Sequence, residues 1–365
     1  MIYDGWMTSL LVVKALDADS AHAPEFQYLL SHSLLEAREV FDRVELLIAG
    51  QGPAPEGSFD AVLLLSSGNV LLCRRSLAAM WDLLRTGCQE IRPYRLADAG
   101  VSAPVYTLRG YELAERAFLE KGPAGVPLNP SRAPVALTAF YDRQHPPAEE
   151  EPRIGHAGLF HEFIDYYGEV RSDVLPFVPA GAREVLEVGC GRGVTGRLLQ
   201  ETLGCRVTGV ELNPVVAREA ARHLHAVIQG DVQTVAIEGG YDVVLALEVV
   251  EHLVEAEGFL ARIKQLLAPG GRAILSIPNV GHYSIVEDLI AGRWDYLPIG
   301  LLCYTHYRFF TRRTLGDWLR RSGIEKFELV AQKTELPDRL LELSGPFETD
   351  PESLATKGFY VLIHG

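Results

Sequence analysis

The sequence predicts an α/β protein with a doubly wound, mainly parallel sheet in its C-terminal half and an additional α/β domain before it. Two observations lead to this prediction. Apolar runs of strand length alternate with helical patterns along most of the 365 residues, an order typical of sheets covered by helices. In the C-terminal half, one apolar run leads directly into a glycine-rich turn and a helix. That arrangement is typical of sheets with a ligand crevice at the carboxyl ends of their parallel strands.

The charge and composition of the chain restrict its environment and its partners. It has 48 acidic and 34 basic residues and a formal net charge of −14. Its lysines and arginines form no long run, so we expect no nucleic acid partner. No apolar run approaches the roughly 20 residues of a membrane span, so we expect no membrane association. Five scattered cysteines without a CxxC pair favour a reducing compartment, and we expect a cytoplasmic protein.

Residues 1–122 are predicted to form the N-terminal α/β domain. Apolar runs predict three buried strands, at residues 9–14, 44–50 and 59–67. Helical spacing of apolar residues predicts three helices, at residues 24–41, 76–84 and 108–122. This alternation indicates a sheet covered by helices.

The strand at residues 59–67 and the loop that follows are similar to part of a nucleotide-sugar-binding fold of the glycosyltransferase GT-A type. In that fold such a strand delivers an Asp-x-Asp pair to a metal ion. This chain has the letters SSGN at residues 66–69 instead. The resemblance therefore implies a degenerate domain that has lost its metal and serves for substrate docking or homodimerisation.

A proline-rich segment separates this domain from the rest of the chain. Proline is concentrated between Pro123 and Pro152, and the segment ends in the letters HPPAEEEP. Proline fixes φ and removes a backbone donor, so we interpret residues 123–154 as an extended linker. The second domain is then predicted to cover residues 155–365.

Seven apolar runs predict the strands of the second domain. Five of them are expected to lie side by side in the doubly wound sheet, at residues 183–188, 206–212, 226–229, 241–248 and 271–278. Two later runs, at residues 327–334 and 358–365, are expected to close the sheet as an antiparallel pair. The ligand crevice of such a sheet lies beyond the carboxyl ends of its parallel strands.

The letters REVLEVGCGRGVTG at residues 183–196 join the first of these strands to a helix. Gly189, Gly191 and Gly193 permit a tight turn and a close approach of a ligand to the backbone, beside the unpaired N–H groups of the helix N-terminus. Glu211 ends the next strand, where a carboxylate can accept hydrogen bonds from both hydroxyls of a ribose. The loop also satisfies GxGxxG, so an NAD(P)-dependent oxidoreductase is an alternative interpretation.

Two further acidic residues favour a different adenosine-containing cofactor. Glu187 lies inside the first strand, two residues before the loop, where a carboxylate is costly to bury without a partner. A sulfonium cofactor with an amino-acid tail supplies positive charges as partners, whereas a pyrophosphate would be repelled. Asp231 follows the third strand, at a position where an adenine amino group can donate to it.

Five segments, VLEVGCGRG, GVEL, GDV, YDVVLALEVVEHL and LAPGGRAILSIPN, follow one another between residues 185 and 279. In order and spacing they resemble the class I S-adenosylmethionine-dependent methyltransferases, and the resemblance extends over residues 160–365. It implies a Rossmann-like, seven-stranded methyltransferase sheet, S-adenosyl-L-methionine as the cofactor and a small-molecule methyl acceptor. The cofactor-binding residues that it implies are Glu187, Gly189, Gly191, Gly193, Glu211, Leu212, Asp231, Val232 and Glu248.

The resemblance also implies a role for each part of this set. The three glycines cradle the methionine part of the cofactor, Glu211 holds the ribose, and Asp231 with Val232 frames the adenine. Residues 163–181 resemble the helix that covers the cofactor in this family. A scaffold or docking protein with a vestigial cofactor site is the alternative from a different class of function.

Residues 279–314 form a connection that is unusually long and rich in aromatic residues and histidine. Long ordered loops at this end of a sheet usually serve as lids or binding walls. The letters GRWDY, GLL and THYRFFT in this segment resemble bacterial methyltransferases of sugar and natural-product pathways, which implies O-methylation of a sugar or polyhydroxylated acceptor. Those relatives commonly have Asp where this chain has Cys303, so an acidic role at this position is in doubt.

A hydroxyl acceptor requires a base or a metal to remove its proton, whereas an amine needs only to be neutral. His282 and His306 lie in the 279–314 segment and are the candidate general bases. Hydrogen bonds that fold the lid explain either histidine equally well. N-methylation of a small-molecule amine is the alternative reaction, since it needs neither a base nor a metal.

Glu248, Glu251 and His252 form the pattern ExxEH after the fourth strand. Spacings of three and four residues place them on one face of a helix, toward the crevice in which acceptor hydroxyls would lie. Similar residues bind a divalent ion in ubiquinone-pathway O-methyltransferases and in small-RNA 2′-O-methyltransferases, and Mg²⁺ suits a carboxylate-rich site. Such an ion favours a diol or catechol acceptor, because two adjacent oxygens can chelate it. Capping of the helix without a metal is the alternative.

Overall fold

The computed structural model describes residues 8–14, 24–48, 56–57, 59–65, 70–96, 106–121, 135–139, 153–162, 166–297, 299–338, 340 and 351–365. The chain divides into two compact units, Met1–Phe163 and Ile164–Gly365. Each unit has its own seven-stranded sheet. Within the described ranges, no helix is long and apolar enough to cross a membrane.

The first unit is built on a mixed sheet. Its strands are β1 (Ser9–Lys14), β2 (Arg43–Ile48), β3 (Ala61–Leu65), β4 (Val70–Leu72), β5 (Glu90–Arg95), β6 (Val135–Ala139) and β7 (Ile154–Glu162). Its described helices are α1 (Pro24–Arg38), α2 (Arg74–Leu84) and α3 (Leu108–Lys121). The strand order is β2-β1-β3-β6-β5-β7-β4. β1 is parallel to β2 and β3, whereas β6 is antiparallel to β3 and β5.

Apolar side chains of the sheet and of α2 form the core of this unit. Leu10 and Leu63 lie on neighbouring strands and pack with Leu77, Met80 and Phe160, all of them almost fully buried. The three strands and three helices predicted upstream of residue 123 are confirmed, with their ends shifted by a few residues. Residues 66–69, on which the comparison with the GT-A fold depends, lie outside the described residues.

The sheet of the first unit extends into the segment predicted as a linker. β6 pairs with β3 and β5, while β7 pairs with β5 and β4 and buries Phe160 in the core. The first unit, predicted to end at residue 122, therefore continues to Phe163, and the second begins at Ile164 rather than at residue 155. β6 was not predicted from the sequence because prolines lie on both sides of this five-residue apolar run. A short strand between prolines has the same sequence pattern as an extended linker.

The second unit has the predicted doubly wound sheet. Its strands are β8 (Glu184–Val188), β9 (Arg206–Glu211), β10 (Ala226–Gln229), β11 (Tyr241–Leu247), β12 (Leu267–Pro278), β13 (Phe327–Lys333) and β14 (Thr356–His364). They lie in the order β10-β9-β8-β11-β12-β14-β13. The first five are parallel, and β14 is antiparallel to both of its neighbours. The predicted antiparallel closing pair is thus confirmed.

The described helices of the second unit connect or flank these strands. They are α4 (Val194–Leu203), α5 (Pro214–Ala220), α6 (Ala256–Leu266), α7 (Tyr283–Ile290), α8 (Arg312–Arg321) and α9 (Pro351–Leu354), with two 3-10 helices at Ser172–Phe177 and Val250–His252. Both 3-10 helices lie where the sequence pattern indicated longer helical segments.

Strands β8 and β11 are buried on both faces, which explains their nearly continuous apolar sequences. On one face Leu186 and Val244 pack in a core that includes Phe259 of α6. On the other face Val185 and Val243 pack in a second core. Because the central strands run in parallel, the loops after β8, β9 and β11 lie along one edge of the sheet, where the candidate site residues are found.

Candidate cofactor and acceptor site

The glycine loop after β8 has a backbone that favours glycine at three positions. Gly189, Gly191 and Gly193 have φ angles of 66°, 52° and 76°, in the left-handed region. A Cβ at Gly191 would lie 2.5 Å from the carbonyl oxygen of Tyr167, and the N–H of Arg192 donates to this oxygen at 2.9 Å. The loop therefore packs closely against the segment that precedes the first 3-10 helix, and a side chain at residue 191 would separate the two.

Glu187 is buried beside this loop, with 4% of its surface exposed. Its Oε2 has no hydrogen-bond partner among the described residues, and a Cβ at Gly196 would lie only 2.6 Å from it. Burial raises the pKa of Glu187 to about 8, the nearby charge of Glu211 acts in the same direction, and the N–H of Gly196 partly opposes them. A cation placed here would stabilise the ionised carboxylate.

Glu211 ends β9 and reaches the glycine loop. Its carboxylate accepts hydrogen bonds from the N–H groups of Gly191 at 3.0 Å and Asn213 at 2.8 Å, and burial raises its pKa. The next residue, Leu212, is 66% exposed, which is unusual for a leucine that follows a buried strand. The strand end therefore presents a polar group and an apolar surface side by side.

The loop after β10 carries the other pair of predicted adenine contacts. Asp231 accepts hydrogen bonds from the backbone N–H of Gln233 at 2.8 Å and from its side-chain Nε2 at 3.1 and 3.2 Å. Val232 is buried, and Arg262 of α6 donates to its carbonyl at 2.5 Å and also to the carbonyl of Val235. Gln233 and Arg262, which sequence reasoning missed, hold this loop in place.

Glu248 follows β11 in an unusual backbone conformation. Its φ of 53° is the only positive value at a non-glycine residue in the described part of the chain. Its N–H donates to the Oγ of Ser276 at 2.9 Å and to the carbonyl of Ser276 at 3.2 Å. The Ser276 hydroxyl in turn donates to Oε1 of Glu248 at 2.7 Å, and Nη1 of Arg171 lies 3.9 Å from the same oxygen.

Glu251, His252 and His306 form a compact cluster, with one potential ligand atom from each lying within 4.8 Å of the others. Glu251 is fully buried, and neither of its carboxylate oxygens has a hydrogen-bond partner among the described residues. Nε2 of His306 lies 4.0 Å from Oε1 of Glu251, and Nδ1 of His306 likewise has no described partner. Nδ1 of His252 lies 3.0 Å from the Thr305 hydroxyl, which leaves its Nε2 for another ligand.

The burial of the cluster shifts all three of its pKa values toward neutral side chains. Burial, and then the charge of Glu248, raise the pKa of Glu251 well above its usual value. Burial lowers the pKa of His252, and burial with the neighbouring His252 lowers that of His306 to about 3. A divalent cation takes a carboxylate oxygen and neutral imidazole nitrogens as ligands. The donor set and its unpartnered atoms fit such an ion.

This cluster differs from the predicted metal set of Glu248, Glu251 and His252. His306 joins it, whereas Glu248 lies outside the three residues that come within 4.8 Å of one another. The prediction assumed one face of an α-helix, but only a short 3-10 helix, Val250–His252, follows β11, and α6 begins at Ala256. His306 is brought in because its loop folds back, with the N–H of Tyr307 donating to the Glu251 carbonyl at 2.8 Å.

The two predicted general bases have different surroundings. His282 is fully buried, and its Nδ1 and Nε2 lie 2.8 Å and 2.9 Å from the hydroxyls of Ser284 and Thr334. It also caps α7, and burial lowers its pKa to about 4. Because both ring nitrogens are engaged, the structure does not support His282 as a base. With a pKa near 3, His306 is a poor lone base at neutral pH, and its position in the cluster suits a ligand better.

Two other features singled out in the sequence are the predicted cofactor-covering helix at residues 163–181 and Cys303. The segment expected to cover the cofactor with a helix contains the 3-10 helix Ser172–Phe177, and residues 163–165 lie outside the described residues. Cys303 is buried with its Sγ 3.1 Å from the Thr305 hydroxyl. Thr305 thus links Cys303 to His252, a contact that no spacing in the sequence indicates.

Comparison with known proteins finds similarity over the second unit of the chain. Residues 159–329 match the family model described as "Methyltransferase domain". The chain is 28% identical over 187 residues to the ubiquinone biosynthesis O-methyltransferase of Nitrosococcus oceani, which covers 46% of this chain and 78% of that protein. It is 34% identical over 171 residues to the protein of the same name from Roseobacter denitrificans, covering 43% and 66%.

Two further similar proteins are a sequence relative and a solved structure. A ubiquinone biosynthesis O-methyltransferase of Xanthomonas axonopodis is 31% identical over 158 residues, and the chain spans 64% of its length. Among solved structures, a SAM-dependent methyltransferase from Archaeoglobus fulgidus has a TM-score of 0.41 and 17% identity, covering 53% of this chain and 92% of that one. The matching part of the chain carries the predicted motifs in the predicted order. The second unit is therefore a class I S-adenosylmethionine-dependent methyltransferase domain, and the protein is an S-adenosylmethionine-dependent methyltransferase.

Proposed function

We propose that the enzyme transfers the methyl group of S-adenosylmethionine to a hydroxyl oxygen of a small molecule with two adjacent hydroxyls. Sugars, polyhydroxylated natural products and catechols belong to this acceptor class. We further propose that a divalent cation binds at Glu251, His252 and His306, beside Glu248; two imidazole ligands suit a transition-metal ion better than the Mg²⁺ expected from the sequence. The observation that carries the proposal is the buried cluster, whose ligand atoms lie within 4.8 Å of one another and include oxygens without a described partner. The matched relatives are named O-methyltransferases, which supports oxygen rather than nitrogen as the acceptor atom.

The cofactor side of the proposal follows from the loops after β8, β9 and β10. The left-handed glycines leave room for the methionine part close to the backbone. Ionised Glu187 would pair with the positive charge of the cofactor, which would compensate its burial. Glu211 has acceptor capacity left for ribose hydroxyls, because a carboxylate can accept about four hydrogen bonds.

The adenine would lie between the loops after β9 and β10. Leu212 follows β9 and is exposed, and Val232 follows the neighbouring strand β10 and is buried. Both can supply apolar contacts to the ring. Asp231 would accept from the adenine amino group, in place of or beside the side-chain amide of Gln233 that it now holds. Displacement of Gln233 would also break the hydrogen bond that its side-chain oxygen accepts from the N–H of Glu255 at 2.8 Å.

The transfer itself is an in-line displacement at the methyl carbon. The acceptor oxygen forms a bond to this carbon while the carbon–sulfur bond breaks, and the sulfur leaves as a neutral thioether. When bound, a divalent ion would lower the pKa of a coordinated hydroxyl and fix two adjacent oxygens. The chain contributes the positioning of acceptor and cofactor, and the acceptor proton passes to a water molecule.

The test begins with calorimetric titration of the purified full chain with S-adenosylhomocysteine, NADH and NADPH, each with and without Mg²⁺. We expect micromolar binding of S-adenosylhomocysteine alone. Binding of the nicotinamides alone would contradict the cofactor, and binding of none would favour a scaffold. Turnover is then compared on acceptor pairs that differ in one hydroxyl, such as a catechol and the matching phenol, with and without EDTA. Equal turnover of both members of a pair, or EDTA-insensitive transfer to an amine, would refute the proposed acceptor class.

We also propose that the enzyme is cytoplasmic. In this proposal the first unit contributes to acceptor docking or to homodimerisation. Analytical ultracentrifugation of the full chain distinguishes a monomer from a dimer. Comparison of acceptor KM between the full chain and variants of the first unit tests docking, because a docking role changes KM without changing the affinity for S-adenosylhomocysteine.

A further inference from the structure

We propose that Arg171 is a positioning residue that holds the Glu248 carboxylate at the acceptor side of the site. Nη1 of Arg171 lies 3.9 Å from Oε1 of Glu248. Only 16% of the Arg171 side chain is exposed, against 40% for Glu248. The inference rests on the proposed function, in which Glu248 lies beside a bound divalent ion.

The guanidinium of Arg171 is itself fixed by two side chains. Its Nε and Nη2 donate to the carboxylate of Asp173 at 3.1 and 3.3 Å, and Nη2 also donates to the hydroxyl of Tyr360 at 2.7 Å. The Tyr360 hydroxyl donates to Asp173 in turn. A planar guanidinium bound at several nitrogens has little freedom to rotate. Nη1 is therefore held in the direction of Glu248.

The backbone of Arg171 is tied to the cofactor side. Its N–H donates to the hydroxyl of Thr195 at 3.0 Å, and Thr195 lies in the first turn of α4, directly after the glycine loop. Arg171 thus contacts α4 through its main chain and Glu248 through its side chain. Arg171 therefore links the position of Glu248 to the cofactor loop.

Glu248 is also held by Ser276, whose hydroxyl accepts from its N–H and donates to Oε1, the oxygen that Arg171 approaches. A non-glycine residue in the left-handed region is strained and persists where its surroundings determine it. Arg171 and Ser276 both approach Oε1 of Glu248, at 3.9 and 2.7 Å, so the direction of this carboxylate is fixed by two side chains. Neither Arg171 nor Ser276 was identified from the sequence.

The test compares Arg171→Gln with Arg197→Gln, a control that removes an exposed arginine paired with Glu201 on α4. Mn²⁺ binding to the full chain is measured by electron paramagnetic resonance, and S-adenosylhomocysteine binding by calorimetry. We expect Arg171→Gln to weaken Mn²⁺ binding about tenfold, as is typical for partners of metal ligands, with less effect on S-adenosylhomocysteine. Arg171→Lys should restore part of the affinity, and Arg197→Gln should behave as the wild type. Equal losses in Arg171→Gln and Arg197→Gln would overturn the inference.

Tyr360→Phe provides a second, milder variant that keeps the aromatic ring and removes only the hydroxyl. If it folds as the wild type, shown by an unchanged circular dichroism spectrum, it should weaken Mn²⁺ binding less than Arg171→Gln but in the same direction. An unchanged Mn²⁺ affinity in both Tyr360→Phe and Arg171→Gln would overturn the positioning role.

A double-mutant cycle with Glu248→Gln separates a positioning role from a general structural one. If Arg171 acts through Glu248, then Arg171→Gln changes Mn²⁺ affinity by less than about twofold in the Glu248→Gln background. Full additivity would overturn the inference. Loss of Mn²⁺ binding in Glu251→Gln but not in Glu248→Gln would also overturn it while leaving the proposed cluster intact. Absence of Mn²⁺ binding to the wild type would instead refute the metal site itself, and the inference with it.

Discussion

Replacement of Gly191 by alanine tests the geometry on which the cofactor site depends. Gly191 has a φ of 52°, and a Cβ there would lie 2.5 Å from the Tyr167 carbonyl oxygen. Gly204, at the other end of α4, has a φ of 68° and nothing within 4 Å of an added Cβ. Gly204→Ala therefore carries the backbone strain alone and serves as the matched control.

The expected destabilisation can be estimated for each variant. The left-handed conformation costs alanine about 1–2 kcal/mol, and about 0.4–1 kcal/mol is recovered from the reduced entropy of the unfolded chain. Gly204→Ala should thus lower the free energy of unfolding by about 1 kcal/mol. In Gly191→Ala the Tyr167 carbonyl must also move, and its hydrogen bond from Arg192 adds about 1 kcal/mol or more. The total for Gly191→Ala is about 2–3 kcal/mol.

Scanning calorimetry of the full chain measures this difference in the transition of the second unit. At about 2–4 °C per kcal/mol for a unit of this size, Gly191→Ala should lower Tm by about 4–12 °C and Gly204→Ala by about 2–4 °C. Gly191→Ala should also weaken S-adenosylhomocysteine binding at least about tenfold, whereas Gly204→Ala should leave it unchanged. Equal Tm values for the two variants, with cofactor affinity retained in both, would refute the close approach at Gly191.

Three further predictions concern buried or strained side chains. Because burial raises the folded-state pKa of Glu187 to about 8, this carboxyl keeps a proton between pH 4.5 and 8 that the unfolded chain has released, and its contribution to the stability of the cofactor-free protein falls as pH rises through this range. Glu187→Gln should therefore reduce, but not abolish, the loss of stability between pH 5 and pH 8 in urea titrations, because the pKa values of Glu211 and Glu251 are raised as well; an unchanged pH dependence would contradict the role of Glu187. Glu248→Gly should be more stable than Glu248→Ala by about 1 kcal/mol, since glycine accepts a φ of 53° without strain, and equal urea midpoints would contradict this. His282→Ala should lower the free energy of unfolding by about 2 kcal/mol, because the cap of α7 and the hydrogen bonds of His282 are lost, and it should leave Mn²⁺ affinity unchanged. His306→Ala should weaken Mn²⁺ binding. Weaker Mn²⁺ binding in His282→Ala but not in His306→Ala would contradict these roles.

The arrangement of the candidate cofactor-binding residues was predictable because most of them lie in or directly after strands with a strong apolar pattern. Glu211, for example, ends β9, and pairing of β8 with β9 in parallel brings it to the glycine loop without any long-range information. The same pattern did not predict β6, since a five-residue apolar run among prolines has no periodicity that distinguishes it from a linker. Because β7 pairs with β4 and β5 within the first sheet, the first unit continues to Phe163.

The acceptor half depends on contacts between distant segments, which the sequence does not specify. Thr305 and His252 are 53 residues apart, and they meet only because the loop after α7 folds over the 3-10 helix Val250–His252. The spacing of Glu248, Glu251 and His252 suggested a helix face, yet the chain adopts a positive φ at Glu248 instead. Local spacing identified Glu251 and His252, whereas His306 comes close to them only in the folded chain.

The buried polar atoms of the cluster support a ligand at this position on energetic grounds. Both carboxylate oxygens of Glu251 and Nδ1 of His306 are buried without a described partner, and each such atom costs about 1–3 kcal/mol. Apolar side chains of similar size would avoid this loss and would leave the surrounding core unchanged. In a protein whose net stability is about 5–15 kcal/mol, a loss of several kcal/mol at one place requires compensation. The divalent ion that we propose would supply it, because such an ion would satisfy a carboxylate and two neutral imidazoles together.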